Sequence, residues 1–130
     1  MQVGATFIMA DDLQEMRRFY TLVFGHEPLD SDGTEYCYSK EKVTLRATDA
    51  RFKEPTTRLI LQYVVDDVFE LYARLNTDLL DMNIDCQSPQ NYNNGYLSFM
   101  THDPNNNILV FIDKNYHLSI NTDDYGEYYT

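Results

Sequence analysis

The side chains with chemistry to offer are His26, His102 and His117, Cys37 and Cys86, and 21 carboxylates. Imidazoles or thiolates at a fixed spacing would hold a divalent metal, and a histidine beside a carboxylate would move protons. The histidines show no H-x-x-x-H spacing: His26 follows a helical stretch, His102 precedes an Asp-Pro turn, and His117 lies in the C-terminal stretch. Each reads as an ordinary surface or turn residue. Cys37, inside "EYCYS", and Cys86 read as small buried hydrophobes rather than reactive thiols. The sequence contains no Gly-rich phosphate loop, no G-x-S-x-G and no CxxC. The carboxylates are too numerous for sequence to single out an acid–base dyad, so a catalytic reading has no residue to stand on.

Binding chemistry is better represented. Gln62 is the only polar residue in "LILQYVV". Buried, it must find a partner, which a ligand, a water, a neighbouring strand or a subunit seam would each supply. Arg46, inside "VTLRAT", offers a bidentate donor to a carboxylate, or else is a solvated edge residue. Tyr36, Tyr38, Tyr92 and Tyr96 are flat surfaces on which a planar ligand stacks, and they serve equally for core or interface packing.

The elements that must position these residues are legible from period and punctuation. Val3 to Met9 is a short strand. Asp11 or Asp12 caps a helix whose apolar stripe is Leu13, Met16, Phe19, Tyr20, Val23 and Phe24, and Gly25 ends it. Strands follow near Glu27 to Asp30, at Thr34 to Ser39 and at Val43 to Ala47, divided by Ser31-Asp32-Gly33 and Lys40-Glu41. Asp49 to Pro55 is a polar connector. Then the pattern repeats: a strand at Leu59 to Val65, an Asp66-Asp67 cap, and a helix burying Val68, Phe69, Leu71, Tyr72, Leu75 and Leu79. An irregular edge segment leads to strands at Tyr96 to Met100 and Ile108 to Ile112. "TFIMADDLQEMRRFYTLVFG" and "LILQYVVDDVFELYARLNTD" share the order of strand, aspartate pair and aromatic-bearing helix, which reads as an internal duplication.

At 130 residues the chain fits one domain, within the usual range of roughly 100–200 residues. A net charge of -11 repels phosphates, which argues against nucleic-acid and anionic-membrane partners and permits a cationic ligand. No apolar run approaches the ~18–20 residues of a membrane span, and "MQVGATFIMADD" has no basic n-region. Two cysteines make no disulfide framework, which with the absent leader gives a cytoplasmic reading. The closing "NTDDYGEYYT", residues 121–130, is acidic and tyrosine-rich without apolar periodicity. It reads as a disordered tail, or as a segment that folds over a partner subunit or a cleft.

Three stretches carry a family resemblance: "MADDLQEMRRFYTLVFGHEP", "VVDDVFELYARL" and "NNGYLSFMTHDPNNNILVFID". With Phe19, Tyr20 and Gly25 in the first, and Gly95, Phe99 and Asp103-Pro104 in the last, the chain resembles the vicinal oxygen chelate superfamily. That superfamily contains glyoxalase I, bleomycin-resistance proteins and extradiol dioxygenases. Asn106 stands where such proteins usually have glycine, a replacement suited to a left-handed turn. The resemblance implies an α+β fold of two βαβββ modules, about 3–50 and 57–113 in a single domain over 1–120. Their curled mixed sheets would enclose a cleft, usually completed in a homodimer.

Metal-dependent members place His or Glu ligands on cleft-facing strands. The matching positions fall at or near Ala5, Ile60 and Val110, with a fourth in Thr44 to Arg46. None of these is a His, Asp, Glu or Cys, so the expectation is no metal and no cofactor. If Ile60 faces inward, alternation adds Gln62 and Val64, and in the first module groups Ala5, Phe7 and Met9. The cleft-lining candidates are therefore Phe7, Met9, Tyr38, Arg46, Gln62, Tyr92, Tyr96 and Val110. The preferred function is a metal-free, non-catalytic protein of the bleomycin-resistance type that binds a small, cationic or aromatic molecule in a dimeric cleft. The alternatives are a metal-dependent glyoxalase or dioxygenase whose ligands lie elsewhere, and a protein-interaction module whose cleft is filled by its own Phe7, Met9 and Phe111.

Overall fold

The structure is a computed structural model that describes residues 1–2, 4–48, 59–91 and 96–115. These fall into two compact units. The first runs from the N-terminus to Thr48 and includes Asp103–Asn105; the second holds the described residues from Leu59 to His102 and from Asn106 to Asn115. The expected connector at Asp49 to Pro55 and the tail at 121–130 lie outside the described residues.

In the first unit the order is β1 (Thr6–Ala10), α1 (Leu13–Phe24), β2 (Leu29–Ser31), β3 (Glu35–Tyr38) and β4 (Val43–Ala47). The strands form one sheet in the order β1-β4-β3-β2, with β1 parallel to β4 and the rest antiparallel. The helix begins where it does because Asp12, in an extended conformation, accepts the Glu15 backbone N–H at 3.1 Å. It stops at Gly25, whose φ of 79° suits a residue without Cβ and whose N–H donates to the Thr21 carbonyl. Met16, Phe19, Tyr20 and Val23 are buried on its inner face. Strand alternation sends Ile8, Ala10, Tyr36, Tyr38, Val43 and Leu45 into the same core. Each large apolar side chain buried this way contributes roughly 1.5–3 kcal/mol.

The second unit repeats the plan. Its elements are β5 (Ile60–Val65), α2 (Val68–Asp78), a 3-10 turn (Leu80–Met82), β6 (Gln90–Asn91), β7 (Leu97–His102) and β8 (Ile108–Asp113). The sheet order is β5-β8-β7-β6, with β5 parallel to β8. Asp67 accepts the Glu70 N–H at 3.1 Å, as Asp12 does in the first unit. The buried Asp113 carboxylate accepts the Val68 N–H at 3.2 Å, satisfying one more donor of that helix start. Val68, Leu75 and Leu79 are buried, and Phe99 stacks on Phe111 with ring centroids 4.9 Å apart. Phe69, expected in this core, is 59% exposed instead. It sits one residue off the stripe of Val68, Leu71, Tyr72 and Leu75, which a helix rotates by about 100°.

The Asp103-to-Asn107 loop joining β7 to β8 uses each of its polar residues. Asp103 is fully buried: one carboxylate oxygen accepts the Tyr20 hydroxyl at 2.8 Å and the other accepts the Asn105 N–H at 2.8 Å. The Asn105 amide donates to the Met9 carbonyl at 3.1 Å, at the end of β1. Asn106 takes a φ of 66°, the left-handed conformation expected at the family's glycine position. Asn107 accepts the Leu59 N–H at 3.0 Å. Tyr20→Phe should therefore cost about 2 kcal/mol in urea denaturation, the range for a buried hydrogen bond to a charged group. Asn106→Gly should be neutral or slightly stabilising, while Asn106→Val loses on the order of 1 kcal/mol or more to backbone strain. Equal midpoints for all three variants and the parent would contradict this account of the loop.

His26 closes the other end of α1. Its Nε2 lies 2.8 and 3.0 Å from the two Glu41 oxygens, and its ring packs against Phe24 and Tyr38. The Glu41 hydrogen bond raises the imidazole above its usual value, reinforced by the Glu27 carbonyl. A histidine raised on folding contributes fully while pH is below its unfolded value of about 6.5, and loses that contribution as pH rises through the higher folded value. The stability difference between the parent and His26→Gln should thus be larger near pH ~6 than near pH ~9. A difference independent of pH would show that the ring serves packing alone.

Candidate functional site

Each sheet has one face against its helix and one free of it. On the first, the helix-free face carries Phe7 and Met9 from β1, Thr44 and Arg46 from β4, and Glu35 and Cys37 from β3. Phe7 is 51% exposed. The Arg46 guanidinium lies 4.8 Å over the Phe7 ring and donates to Glu35 at 3.0 Å, so it is held in place by a cation–π contact and an ion pair. On the second sheet the helix-free face carries Ile60, Gln62 and Val64 from β5, Ile108 and Val110 from β8, and Met100 and His102 from β7. Gln62 pairs directly with Val110, which in turn pairs with Met100. Ile60 and Val64 are 70% and 50% exposed on either side of Gln62.

The proposed lining residues divide accordingly. Phe7, Met9 and Arg46 share one helix-free face, and Gln62 and Val110 share the other. Tyr38 does not belong with them. It is fully buried beneath α1, its hydroxyl 2.8 Å from Thr21 Oγ1 and donating to the Arg17 carbonyl at 3.0 Å. Burial pushes its phenol up to about 12. The reason is strand parity: in "EYCY" the tyrosines at 36 and 38 take the helix side, leaving Glu35 and Cys37 on the other. By the same parity Phe111, expected to fill a cleft, faces α2, with an exposure of only 2%. Tyr96 is half-buried just before β7, and Tyr92 lies outside the described residues.

Both cysteines are half-buried rather than buried. Burial pushes the Cys86 thiol up, a hydrogen bond with Thr101 opposes this, and the nearby Asp85 charge adds to it. A thiol so placed is protonated near neutrality and is no activated nucleophile.

Among the described residues, cavities lie within each unit. One, of about 450 Å³, lies where the helix-free face of the second sheet meets the 85–87 segment, lined by Asp85, Cys86, Gln87, Met100, His102 and Ile108 among others. Backbone bonding fixes that wall: Gln87 N–H donates to the Met100 carbonyl at 2.9 Å, and Thr101 Oγ1 donates to the Asp85 carbonyl at 2.9 Å. These residues escaped sequence reasoning. The signal that finds them is the register Met100↔Val110, which carries the face of Gln62 and Val110 onto β7. The other cavity, of about 370 Å³, lies on the outer side of α1 among Gln14, Arg17, Arg18, Thr21 and Glu27. Its Arg17 is committed to Glu27 at 3.0 Å and stacked 4.7 Å over Tyr36.

A divalent ion needs convergent imidazole, thiolate or carboxylate donors. On the helix-free faces the paired parallel strands present Phe7, Met9, Thr44, Arg46, Ile60, Gln62, Ile108 and Val110, and none of these is such a donor. Among the described residues no three His, Cys, Asp or Glu side chains are grouped to hold a metal ion. The other donors on these faces, Glu35 and Cys37 on the first sheet and His102 on the second, stand on the antiparallel neighbour strands.

The chain matches no protein-family model and no curated protein sequence. Its fold has many counterparts among solved structures. A glyoxalase/bleomycin resistance protein/dioxygenase family enzyme from Burkholderia phytofirmans PsJN aligns at a TM-score of 0.67 and 18% identity, over 85% of this chain and 96% of that one. The lactoylglutathione lyase of Agrobacterium tumefaciens aligns at 0.61 and 22% identity, over 86% and 92%. The glyoxalase/bleomycin resistance protein of Catenulispora acidiphila aligns at 0.60 and 16%, over 85% and 98%. With two four-stranded mixed sheets, each bearing one helix in βαβββ order, this chain has the fold of the vicinal oxygen chelate superfamily, that of the glyoxalase, bleomycin-resistance and dioxygenase proteins.

Proposed function

We propose that this chain is a metal-free small-molecule-binding protein of the bleomycin-resistance type. It sequesters a small, cationic or aromatic ligand rather than transforming it, in a cleft completed by a second copy of the chain. The observation that carries this reading is the character of the helix-free faces. At the strand positions where the resemblance would put metal donors, at or near Ala5, Ile60 and Val110 and within Thr44 to Arg46, this chain keeps apolar side chains, a threonine or an arginine. Such a face is suited to burying an apolar ligand body, and a lone amide such as Gln62 to orienting it. The sole cation on these faces, Arg46, is engaged by Glu35 among the described residues, so anionic substrates find little to hold them. A net charge of -11 acts in the same direction, favouring cationic ligands and disfavouring nucleic acid and anionic membranes as partners. No helix among the described residues is long and apolar enough to cross a membrane, and the cytoplasm is the compartment we propose.

Metal analysis of purified, untagged protein is the test. The expected result is less than about a tenth of an equivalent of any transition metal, with a melting temperature unmoved by chelator or by added zinc, nickel, manganese or iron; one-site linkage would otherwise shift it. Stoichiometric metal, or a melting temperature that falls with chelator, would overturn the reading in favour of a glyoxalase- or dioxygenase-type enzyme.

A further inference from the structure

We infer that the cavity walled by Asp85, Cys86, Met100, His102 and Ile108 is the ligand-binding site of the second unit, and that it takes a compact aromatic amine in its cationic form. The inference rests on the small-molecule-binding reading above and deepens it by naming a place and a ligand class. Size comes first: about 450 Å³ lies within the ~300–1,000 Å³ of known small-molecule sites. The wall comes second. Met100 and Ile108 project from adjacent strands on the helix-free face, and Cys86 faces them from the 85–87 segment. Two polarisable sulfurs and a branched aliphatic chain thus meet one ligand surface. Sulfur favours the edges of aromatic rings, which selects a flat apolar body. Cys86 is a contact surface here, because its thiol stays protonated.

Charge comes third. Asp85 is the one carboxylate among the described lining residues, and no Lys or Arg is among them. Asp85 is exposed and its backbone carbonyl accepts from Thr101, so the cavity is bordered by a solvent-facing acidic residue on an anchored backbone. An ammonium group at the mouth would meet that charge while the ring lies inside against the sulfurs.

Three probes of matched shape test this: 1-naphthylmethylamine, 1-naphthylmethanol and 1-naphthoate, bearing positive, zero and negative charge. The readout is the rate of iodoacetamide alkylation at Cys86, with Cys37 on the other unit as internal reference, followed by mass spectrometry of intact parent protein and Asp85→Asn. The amine should slow Cys86 and leave Cys37 unchanged, at a half-protecting concentration about five-fold below that of the alcohol, as expected for one partly solvated charge pair. Asp85→Asn, isosteric and exposed, should bring amine and alcohol together. Protection by none of the probes, or equal protection by the naphthoate, would overturn the inference. The two readings fail separately. A probe that raises the melting temperature without shielding Cys86 removes this cavity but keeps the binding role. Shielding in protein that carries stoichiometric metal removes the metal-free reading but keeps the cavity.

Discussion

A fully buried aspartate in a loop is costly unless its oxygens are satisfied, and the structure around Asp103 is organised by that requirement. The Tyr20 hydroxyl reaches it from a helix 83 positions earlier in sequence, and the loop's own Asn105 N–H takes the second oxygen. Proline at 104 limits the turn, Asn106 supplies its left-handed step, and the Asn105 and Asn107 side chains reach Met9 and Leu59 respectively. The "DPNNN" run is thus a set of separate tasks, each needing a short polar side chain that tolerates tight backbone. Once these bonds are made, β8 starts at Ile108 in fixed register, with its N–H on the Leu59 carbonyl. That register decides that Val110 stands beside Gln62.

The two aspartate pairs show one device used twice with different neighbours. In each pair the second residue caps the helix, Asp12 for α1 and Asp67 for α2. The first is spent outside the helix: Asp11 accepts the Thr48 hydroxyl, and Asp66 meets Lys114 at 3.1 Å. Each therefore ties the strand–helix corner to the end of the parallel neighbour strand, which is where a βαβ-type unit needs its ends fixed. This is a physical reason for the repeat, independent of how it arose.

Function in this fold is a matter of which side chains the helix-free faces present, since the scaffold hosts several chemistries. Here those faces mix aliphatic, aromatic and sulfur surface with Glu35, Thr44, Arg46, Gln62 and His102. Of these, Arg46 is held by Glu35 and by the Phe7 ring.

The sequence by itself determined the elements, because each depends on local signals. The aspartate caps, Gly25, the apolar stripe of α1 and the bounds of β4 are all written within a few residues of where they act. What only tertiary structure decided was facing and convergence. "EYCYS" alternates tyrosine with Glu35, Cys37 and Ser39, so the two tyrosines share a face, but nothing within it says whether that face meets the helix or lies open. Packing against Phe24 and Thr21 chose to bury Tyr38 and left Cys37 outside. In the same way nothing in the sequence joins Cys86, Met100 and His102, which meet only because the β7–β8 register and the Gln87–Met100 bond bring three separate stretches to one cavity. Periodicity fixes which residues share a face; long-range pairing alone decides which face it is and what stands opposite.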